Sequence, residues 1–255
     1  MRFFQYADHS QGTPIQLPDT KKIWTYSFLL GSLFWIIALV LWWQNGIDKA
    51  LLFYFDPLRV SDDPIIRISK WFTSTGMAVI TTMIVLYLLL SKFIKSLGAP
   101  LTVYFYTICS FGLSGIAGDL LKQVFARPRP LAVFGNELLI LSTSASPAIP
   151  SGHATKSIAL ILPFLFLVGN QKGIHKFLKI MLLMIGIGVC FSRVALGAHY
   201  LSDVLGGIGM ALIGLPLTML FANMVLRKAK QEQLPVLSIV WGFLLVFLFF
   251  VFMAL

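Results

Sequence analysis

Three short polar segments carry the residues of this apolar chain that are best suited to chemistry. They read KQVFARPRP (122–130), PSGH (150–153) and SRVALGAHYLSD (192–203). Between them they supply lysine, arginine, two histidines and an aspartate, with few acids to neutralise the bases. Guanidinium groups match the oxygens of phosphate in geometry and charge. The segments therefore predict a site that binds an anion, and phosphate is the natural candidate.

Four basic residues are the candidates for holding this anion: Lys122, Arg127, Arg129 and Arg193. Arg127 has two interpretations that the sequence leaves open. Its side chain could contact the bound phosphate directly, or it could meet the anionic head groups of a membrane.

The segment PSGH is expected to begin a helix that cradles the anion. Ser151 is a residue type that caps helices, and Gly152 lets the backbone approach a ligand closely. The free N–H groups and the dipole of a helix start add positive potential. The alternative is a capped helix start with an incidental histidine at position 153.

His199 and Asp203 are the expected centre of the chemistry. Being four residues apart, they would share one face of a helical turn, where the carboxylate can fix the tautomer of the imidazole. The other ring nitrogen is then free to act as a nucleophile. His153 would protonate the leaving oxygen. A metal pair is the alternative, but no further ligand cluster accompanies these residues, so we expect neither a metal nor a cofactor.

The elements that position these residues are predicted to be membrane-spanning helices. The chain has 255 residues, of which 58% are hydrophobic and 12% charged. Its mean hydropathy is +0.86. Several apolar runs reach the roughly 20 residues that a helix needs to cross about 30 Å of hydrocarbon, and they lack the alternation of barrel strands. The predicted fold class is an all-α, polytopic transmembrane helical bundle.

Seven spans are predicted, six of them forming a core and the seventh a C-terminal addition. We divide the chain into a cytoplasmic N-terminal segment (1–23), a membrane core (24–226) and a basic loop with the last span (227–255). The first apolar run is too long for a signal peptide and is expected to stay as an anchor. The predicted spans are 24–43, 76–94, 100–121, 154–169, 177–196, 203–226 and 236–254.

Connectivity places all three polar segments on one side of the membrane, because the loops that contain them are separated by an even number of spans. If the N-terminus is inside, eleven of the twenty lysines and arginines lie on the inner side, which favours that orientation by a small margin. The basic residues are scattered among loops. The net charge of +10 therefore indicates membrane orientation and not a nucleic-acid partner.

Two further features carry structural predictions. Residues 62–76 suggest a short amphipathic helix, with Pro64 in its first turn, which lies either at the membrane interface or against the bundle. Cys109 and Cys190 lie within apolar runs and are expected to be buried without a disulfide. His9 and His175 fall in inner segments and are expected to be solvated.

The three segments together resemble the signature of the type 2 phosphatidic acid phosphatase superfamily. That signature is Lys, six residues, Arg-Pro; then Pro-Ser-Gly-His; then Ser-Arg, five residues, His, three residues, Asp. The chain matches it at every position, from Lys122 to Arg129 and Pro130, at 150–153, and from Ser192 through His199 to Asp203. The predicted seventh span and a linker of only 19 residues (131–149) are departures from the family pattern.

The resemblance implies a role for each matching residue. His199 would attack phosphorus to form a phosphohistidine, Asp203 would orient it, and His153 would protonate the leaving group. No metal is required in this chemistry. The implied ligands of the phosphoryl oxygens are Lys122, Arg129, Ser151, Gly152 and Arg193.

The resemblance also implies a substrate class and a location. We expect a phosphatase acting on a membrane lipid phosphate or diphosphate, such as lipid A, undecaprenyl diphosphate or a glycerophospholipid phosphate. We expect it in a bacterial inner membrane with its site facing the periplasm, and the short linker predicts lateral access for lipid. Alternatives are a phosphotransferase that passes the phosphate to a second lipid and a transporter without catalysis. A haloperoxidase is disfavoured because the chain is membrane-embedded.

Overall fold

A computed structural model describes residues 21–93, 102–142, 144–168 and 173–231 of the chain. These residues form eight helices and, among them, no strand. The N-terminal residues 1–20, with His9, and the predicted seventh span lie outside the described residues. The helices are α1 (Lys21–Gln44), α2 (Gly46–Val60), α3 (Pro64–Phe93), α4 (Thr102–Phe125), α5 (Pro130–Phe134), α6 (Gly152–Leu167), α7 (Gly173–Ala195) and α8 (Leu201–Gln231).

The six long helices correspond to the six predicted core spans, and α6 is the central one. It packs against α3, α4, α7 and α8, whereas α1 packs mainly on α8. The contact between α1 and α8 is close, because a Cβ built at Gly209 would lie 2.8 Å from the carbonyl oxygen of Gly31. Glycine thus lets these two backbones approach in the way that membrane helices commonly use.

Three of the described helices have the length and composition needed to cross a membrane. Among the described residues, α1, α7 and the Leu201–Lys228 part of α8 are long and apolar enough to span it, while the equally apolar α6 is shorter. Large apolar side chains such as Leu33, Leu86 and Ile187 remain exposed on the outside of the bundle. The predicted all-α, multi-pass helical bundle is confirmed, and its lipid-facing surface is apolar as expected.

A helix does begin at Pro64, as predicted, but the prediction that it is short and ends near residue 76 is wrong. It is the first part of α3, which runs without interruption through the next predicted span. Asp63 Oδ1 accepts a hydrogen bond from the Ile65 N–H at 2.8 Å, which satisfies one free donor at the start of the helix. Gly76, where the sequence suggested a boundary, is a packing position: a Cβ there would meet Val189 of α7 at 2.5 Å.

Helix α2 was not predicted, and it is fixed to the core by Arg59. The buried guanidinium group of Arg59 donates to the carbonyl oxygen of Leu52 at 2.7 Å and to that of Ala195, at the end of α7, at 3.1 Å. The segment between α1 and α3 is therefore part of the folded bundle and not a free loop.

The helix directions define two ends of the bundle. At the motif end, α1, α4 and α7 finish and α3, α6 and α8 begin, so that all three polar segments lie there. The opposite end contains His175, which is buried against Tyr87 with 6.0 Å between ring centroids. The expectation that His175 is solvated is wrong. Cys109 and Cys190 are buried free thiols, as predicted.

Candidate active site

The start of α6 brings Ser151 and Gly152 to the centre of the motif end. Ser151 occupies the N-cap position with an extended backbone, and its N–H donates to the carbonyl oxygen of Asp203 at 2.9 Å. Its side chain makes no capping bond, contrary to the sequence-based expectation. The Ser151 hydroxyl is buried and has no hydrogen-bond partner among the described residues. A polar atom in this state is suited to a ligand, because leaving it unpaired is costly.

Lys122, in the last turn of α4, stands directly beside this helix start. A Cβ built at Gly152 would lie 3.2 Å from Lys122 Nζ, so the ammonium group occupies space that a side chain at 152 would need. Lys122 also pairs with Asp119 at 3.2 Å, and this carboxylate is largely exposed. The helix start and the lysine together concentrate positive potential at one point.

Arg129 follows α4 in a loop and is held by backbone oxygen atoms of two neighbouring segments. Its Nε donates to the carbonyl oxygen of Ser146 at 2.6 Å, and Nη2 donates to the Ser146 hydroxyl at 2.8 Å. Nη1 lies 3.4 Å from the carbonyl oxygen of Ala198, in the loop before α8. Burial lowers the pKa of Arg129, and the nearby Asp203 carboxylate opposes this shift.

Arg193, in the last turn of α7, is held by α3. Its Nη1 donates a short hydrogen bond to the hydroxyl of Thr73, and the Ser192 hydroxyl donates to the same oxygen at 3.2 Å. The Nε of Arg193 is buried and has no partner among the described residues. Thr73 was not recognised from sequence, because nothing in the surrounding pattern indicates which of its neighbouring hydroxyl groups faces the site.

His199 and Asp203 form the expected pair, although not within one helix. His199 lies in the loop before α8, and Asp203 lies in the first turn of that helix. The distance from His199 Nδ1 to Asp203 Oδ2 is 3.3 Å, and this carboxylate oxygen also accepts the Tyr200 N–H at 3.0 Å. Burial lowers the pKa of His199 to about 4, with Asp203 opposing the shift. The imidazole is therefore neutral near pH 7, and a neutral imidazole has one ring nitrogen with a free lone pair.

His153 is the second residue of α6, close to the same group of charges. Four groups lie close enough to interact electrostatically with it: Arg193, His199, Lys156 and Arg129. Lys156 lies one turn further along α6. The Lys156 stem packs over Gly115 of α4, and its ammonium group lies 4.0 Å from Asp119. The structure thus brings all eight predicted site residues together at the motif end.

Arg127 is buried within the protein, so the prediction that it meets membrane head groups is wrong. Its guanidinium group is buried, donating from Nη1 to Asp203 Oδ1 at 2.6 Å and from Nη2 to Asp48 Oδ2 at 2.9 Å. Nη1 also donates to the Ser202 hydroxyl at 2.6 Å. Three of the N–H groups of Arg127 thus bond to protein, and two of these bonds are to carboxylates. Asp48, in the unpredicted helix α2, was missed entirely, although an acid inside an apolar stretch is a signal worth following.

The geometry can be compared with known proteins. A family model described as the PAP2 superfamily matches residues 100–227, half of the chain and all three polar segments. The chain belongs to the PAP2 superfamily. The resemblance inferred from its motifs is thereby confirmed.

Two curated relatives in this superfamily come from Bacillus subtilis (strain 168). Undecaprenyl-diphosphatase BcrC is 34% identical over 106 residues, covering 40% of this chain and 51% of that protein. Phosphatidylglycerophosphatase B is 32% identical over 108 residues, covering 40% and 50%. The chain thus aligns with about half the length of these PAP2 proteins.

One solved structure shares the fold. It is the crystal structure of a transmembrane PAP2 type phosphatidylglycerolphosphate phosphatase from Bacillus subtilis, with a TM-score of 0.54 and 22% identity. The match covers 78% of this chain and 98% of that one. The arrangement of membrane helices described above is therefore a PAP2 membrane fold.

Proposed function

We propose that this protein is a metal-independent phosphatase that removes phosphate from a membrane lipid phosphate or diphosphate. The observation that carries the proposal is the buried His199, which is paired with Asp203 and lies near Arg129 and Arg193. Two buried polar atoms beside it, the Ser151 hydroxyl and Arg193 Nε, have no partner among the described residues. Phosphate oxygens would satisfy both.

The proposed reaction begins with attack by the free nitrogen of His199. Nδ1 carries the proton and donates it towards Asp203, so Nε2 presents its lone pair. A bond forms between Nε2 and phosphorus while the bond from phosphorus to the lipid oxygen breaks. His153 gives its proton to that leaving oxygen. The product of this step is a phosphohistidine and a free lipid alcohol or monophosphate.

Water completes the cycle in a second step. Its oxygen bonds to phosphorus, the bond between nitrogen and phosphorus breaks, and a proton of the water passes to His153. Phosphate leaves, and both histidines return to their starting states. Throughout, the cations would stabilise the charge on the equatorial oxygens of the phosphoryl group. The proposed ligands are Lys122, Arg129, Ser151, Gly152 and Arg193.

The proposed substrates follow from the relatives and from the apolar surface. The relatives are named for undecaprenyl diphosphate and phosphatidylglycerol phosphate, and lipid A phosphates share the same phosphoryl chemistry. A site beside exposed apolar helices can receive lipid laterally from the bilayer. We further propose a bacterial inner membrane with the motif end facing the periplasm, supported by the excess of basic residues on the other side.

The test is phosphate release by purified protein from a panel of these lipids, with and without a metal chelator. We expect release from at least one lipid, resistance to the chelator, and inhibition by vanadate as a phosphate mimic. His199→Ala should abolish release. His175→Gln, which changes the histidine at the opposite end, is the matched control and should retain it.

Two outcomes would contradict the proposal. One is full activity of His199→Ala on the same lipid, and the other is wild-type protein that releases phosphate from none of the panel. A labelled phosphate that appears in a second lipid, and not in water, would indicate the phosphotransferase alternative.

A further inference from the structure

A buried group of charges lies behind the His199–Asp203 pair, on the side away from the predicted phosphate ligands. Its centre is Arg127, which donates to Asp203 on one side and to Asp48 on the other. All three side chains are at most 4% exposed. Burying charges is costly unless each is paired and hydrogen-bonded, so this arrangement calls for a reason beyond folding.

Two aromatic rings also lie close to the Arg127 guanidinium group. The centroid of the Tyr200 ring lies 4.0 Å from its central carbon, and that of the Trp42 ring lies 5.2 Å away. Carboxylates and aromatic rings together hold Arg127 in place. Its effect on a substrate must therefore pass through Asp203.

Asp48 fixes the other side of the same unit. Its Oδ1 accepts the Ser202 N–H at 3.0 Å, and its Oδ2 accepts a short hydrogen bond from the Ser202 hydroxyl. Asp48 thereby ties the first turn of α2 to the first turn of α8, one residue before Asp203. Asp48 and Asp203 thus both pair with Arg127. Without Asp48, Asp203 alone would pair with the positive charge of Arg127.

The charges of this unit suit a histidine that becomes positive. With His199 neutral, Asp48, Arg127 and Asp203 sum to one negative charge. When Nε2 of His199 bonds to phosphorus, the ring gains positive character and the sum approaches zero. Without Asp48, the charge of Asp203 would already be neutralised by Arg127 before the attack.

We propose that Asp48 and Arg127 are positioning residues that hold Asp203 towards His199 and set how much of its negative charge the histidine experiences. This inference rests on the proposed function, in which His199 is the nucleophile. It assigns a role to α2, which none of the three sequence motifs includes.

The pH dependence of turnover distinguishes this role from a merely structural one. The titratable and charged groups that face His199 are Asp203 from α8, Arg193 from α7, Arg129 from the loop after α4, and His153 from α6. Turnover falls at low pH when His199 becomes protonated, and this fall is the acid limb of the plot of turnover against pH. Removing the negative charge of Asp48 makes His199 harder to protonate and so moves the acid limb to lower pH. Removing the positive charge of Arg127 moves that limb to higher pH.

The experiment compares Asp48→Asn and Arg127→Gln in the full-length protein on the lipid that wild type hydrolyses best. We expect kcat to fall roughly tenfold to a hundredfold in each variant with little change in KM. We expect the acid limbs to move in opposite directions by roughly half a pH unit or more. Arg127→Lys, which keeps the charge, should leave the limb near its wild-type position.

Two controls keep the result interpretable. Asp62→Asn removes an aspartate from the exposed ion pair with Lys70 and should behave as wild type. The double variant Asp48→Asn with Arg127→Gln restores the net charge of the unit, so its acid limb should return towards wild type although its kcat stays low.

A direct titration separates failure of this inference from failure of the proposed function. NMR of protein labelled at its four histidines, with His199 assigned from His199→Ala, reports the protonation of His199 without turnover. If the pKa of His199 shifts in opposite directions in Asp48→Asn and Arg127→Gln, the inference is supported even if no lipid on the panel is hydrolysed. If the pKa of His199 does not change, or changes equally in both folded variants, the inference is overturned, even if the wild-type protein is an active phosphatase.

Discussion

The two ends of the bundle are held together in different ways. At the motif end, buried arginines and aspartates are joined across helices, with Arg127 between Asp48 and Asp203. At the opposite end, the described contacts include the neutral pair of Tyr106 and Asn223, which connects α4 to α8, and the single charge of Lys179, which donates to carbonyl oxygens at the end of α6. Apolar groups or neutral pairs hold helices together at lower cost than buried charges. Buried ion pairs between helices therefore distinguish the motif end, where the proposed site lies.

Among the variants that test this comparison, Asp203→Asn should have the largest effect. Asparagine keeps the shape of the side chain but removes the charge that would stabilise a positive His199 and that pairs with Arg127. We expect phosphate release to fall on the order of 10³-fold or more, because removing the carboxylate of a comparable triad has an effect of this size. Phosphate release by detergent-purified protein measures it, and retention of activity within tenfold of wild type would contradict the comparison.

A smaller effect at the same end should follow from Thr73→Val. Valine has the same shape but cannot accept the hydrogen bonds of Arg193 and Ser192. We expect vanadate to bind about tenfold more weakly, because a hydrogen bond to a charged group is lost and Arg193 is no longer fixed. Inhibition constants measure this loss.

The control for that variant lies two residues along the same helix. The Thr75 hydroxyl bonds only to the carbonyl oxygen of Trp71 in its own helix among the contacts described, so Thr75→Val should leave vanadate inhibition unchanged. Equal weakening in both variants would mean that the substitutions act on α3 as a whole and not through Arg193.

The difference between these threonines shows where sequence reasoning reached its limit. The three motifs are local patterns, and helix connectivity alone places them on one side, so the predicted site residues do meet. The partners Thr73 and Asp48 come from other helices. Asp48 lies 79 residues from Arg127, and no local pattern records such a contact. The same reasoning divided α3 at Gly76, because a glycine that packs against α7 resembles a boundary in sequence.

At the opposite end, Lys179→Met should affect stability and not turnover. Lys179 of α7 donates to the carbonyl oxygens of Leu165, at 2.7 Å, and of Val168, at the end of α6. These bonds satisfy acceptors that a helix end leaves free. We expect the free energy of unfolding to fall by about 1–3 kcal/mol, with unchanged kcat for the folded protein.

Thermal unfolding in detergent measures the loss of stability. An activity assay below the unfolding transition measures kcat. Lys176→Met, which changes an exposed lysine one turn earlier in α7, is the matched control. If Lys179→Met weakened vanadate inhibition as strongly as Thr73→Val, or lowered kcat of the folded protein, the two ends would be coupled through α6 or α7, and the comparison would fail.

The smallest effect should follow from Tyr106→Phe, which removes one hydroxyl from the neutral pair at the opposite end. Asn223 loses its Tyr106 partner, while the ring of residue 106 still fills the core between α4 and its neighbours. We expect a loss of about 1 kcal/mol, equivalent to about 2–4 °C in the unfolding temperature of a chain of this size. Tyr104→Phe, on the same helix, is the control. Turnover should not change, because no charge near His199 is altered; a shifted pH profile would show instead that the opposite end acts on the site.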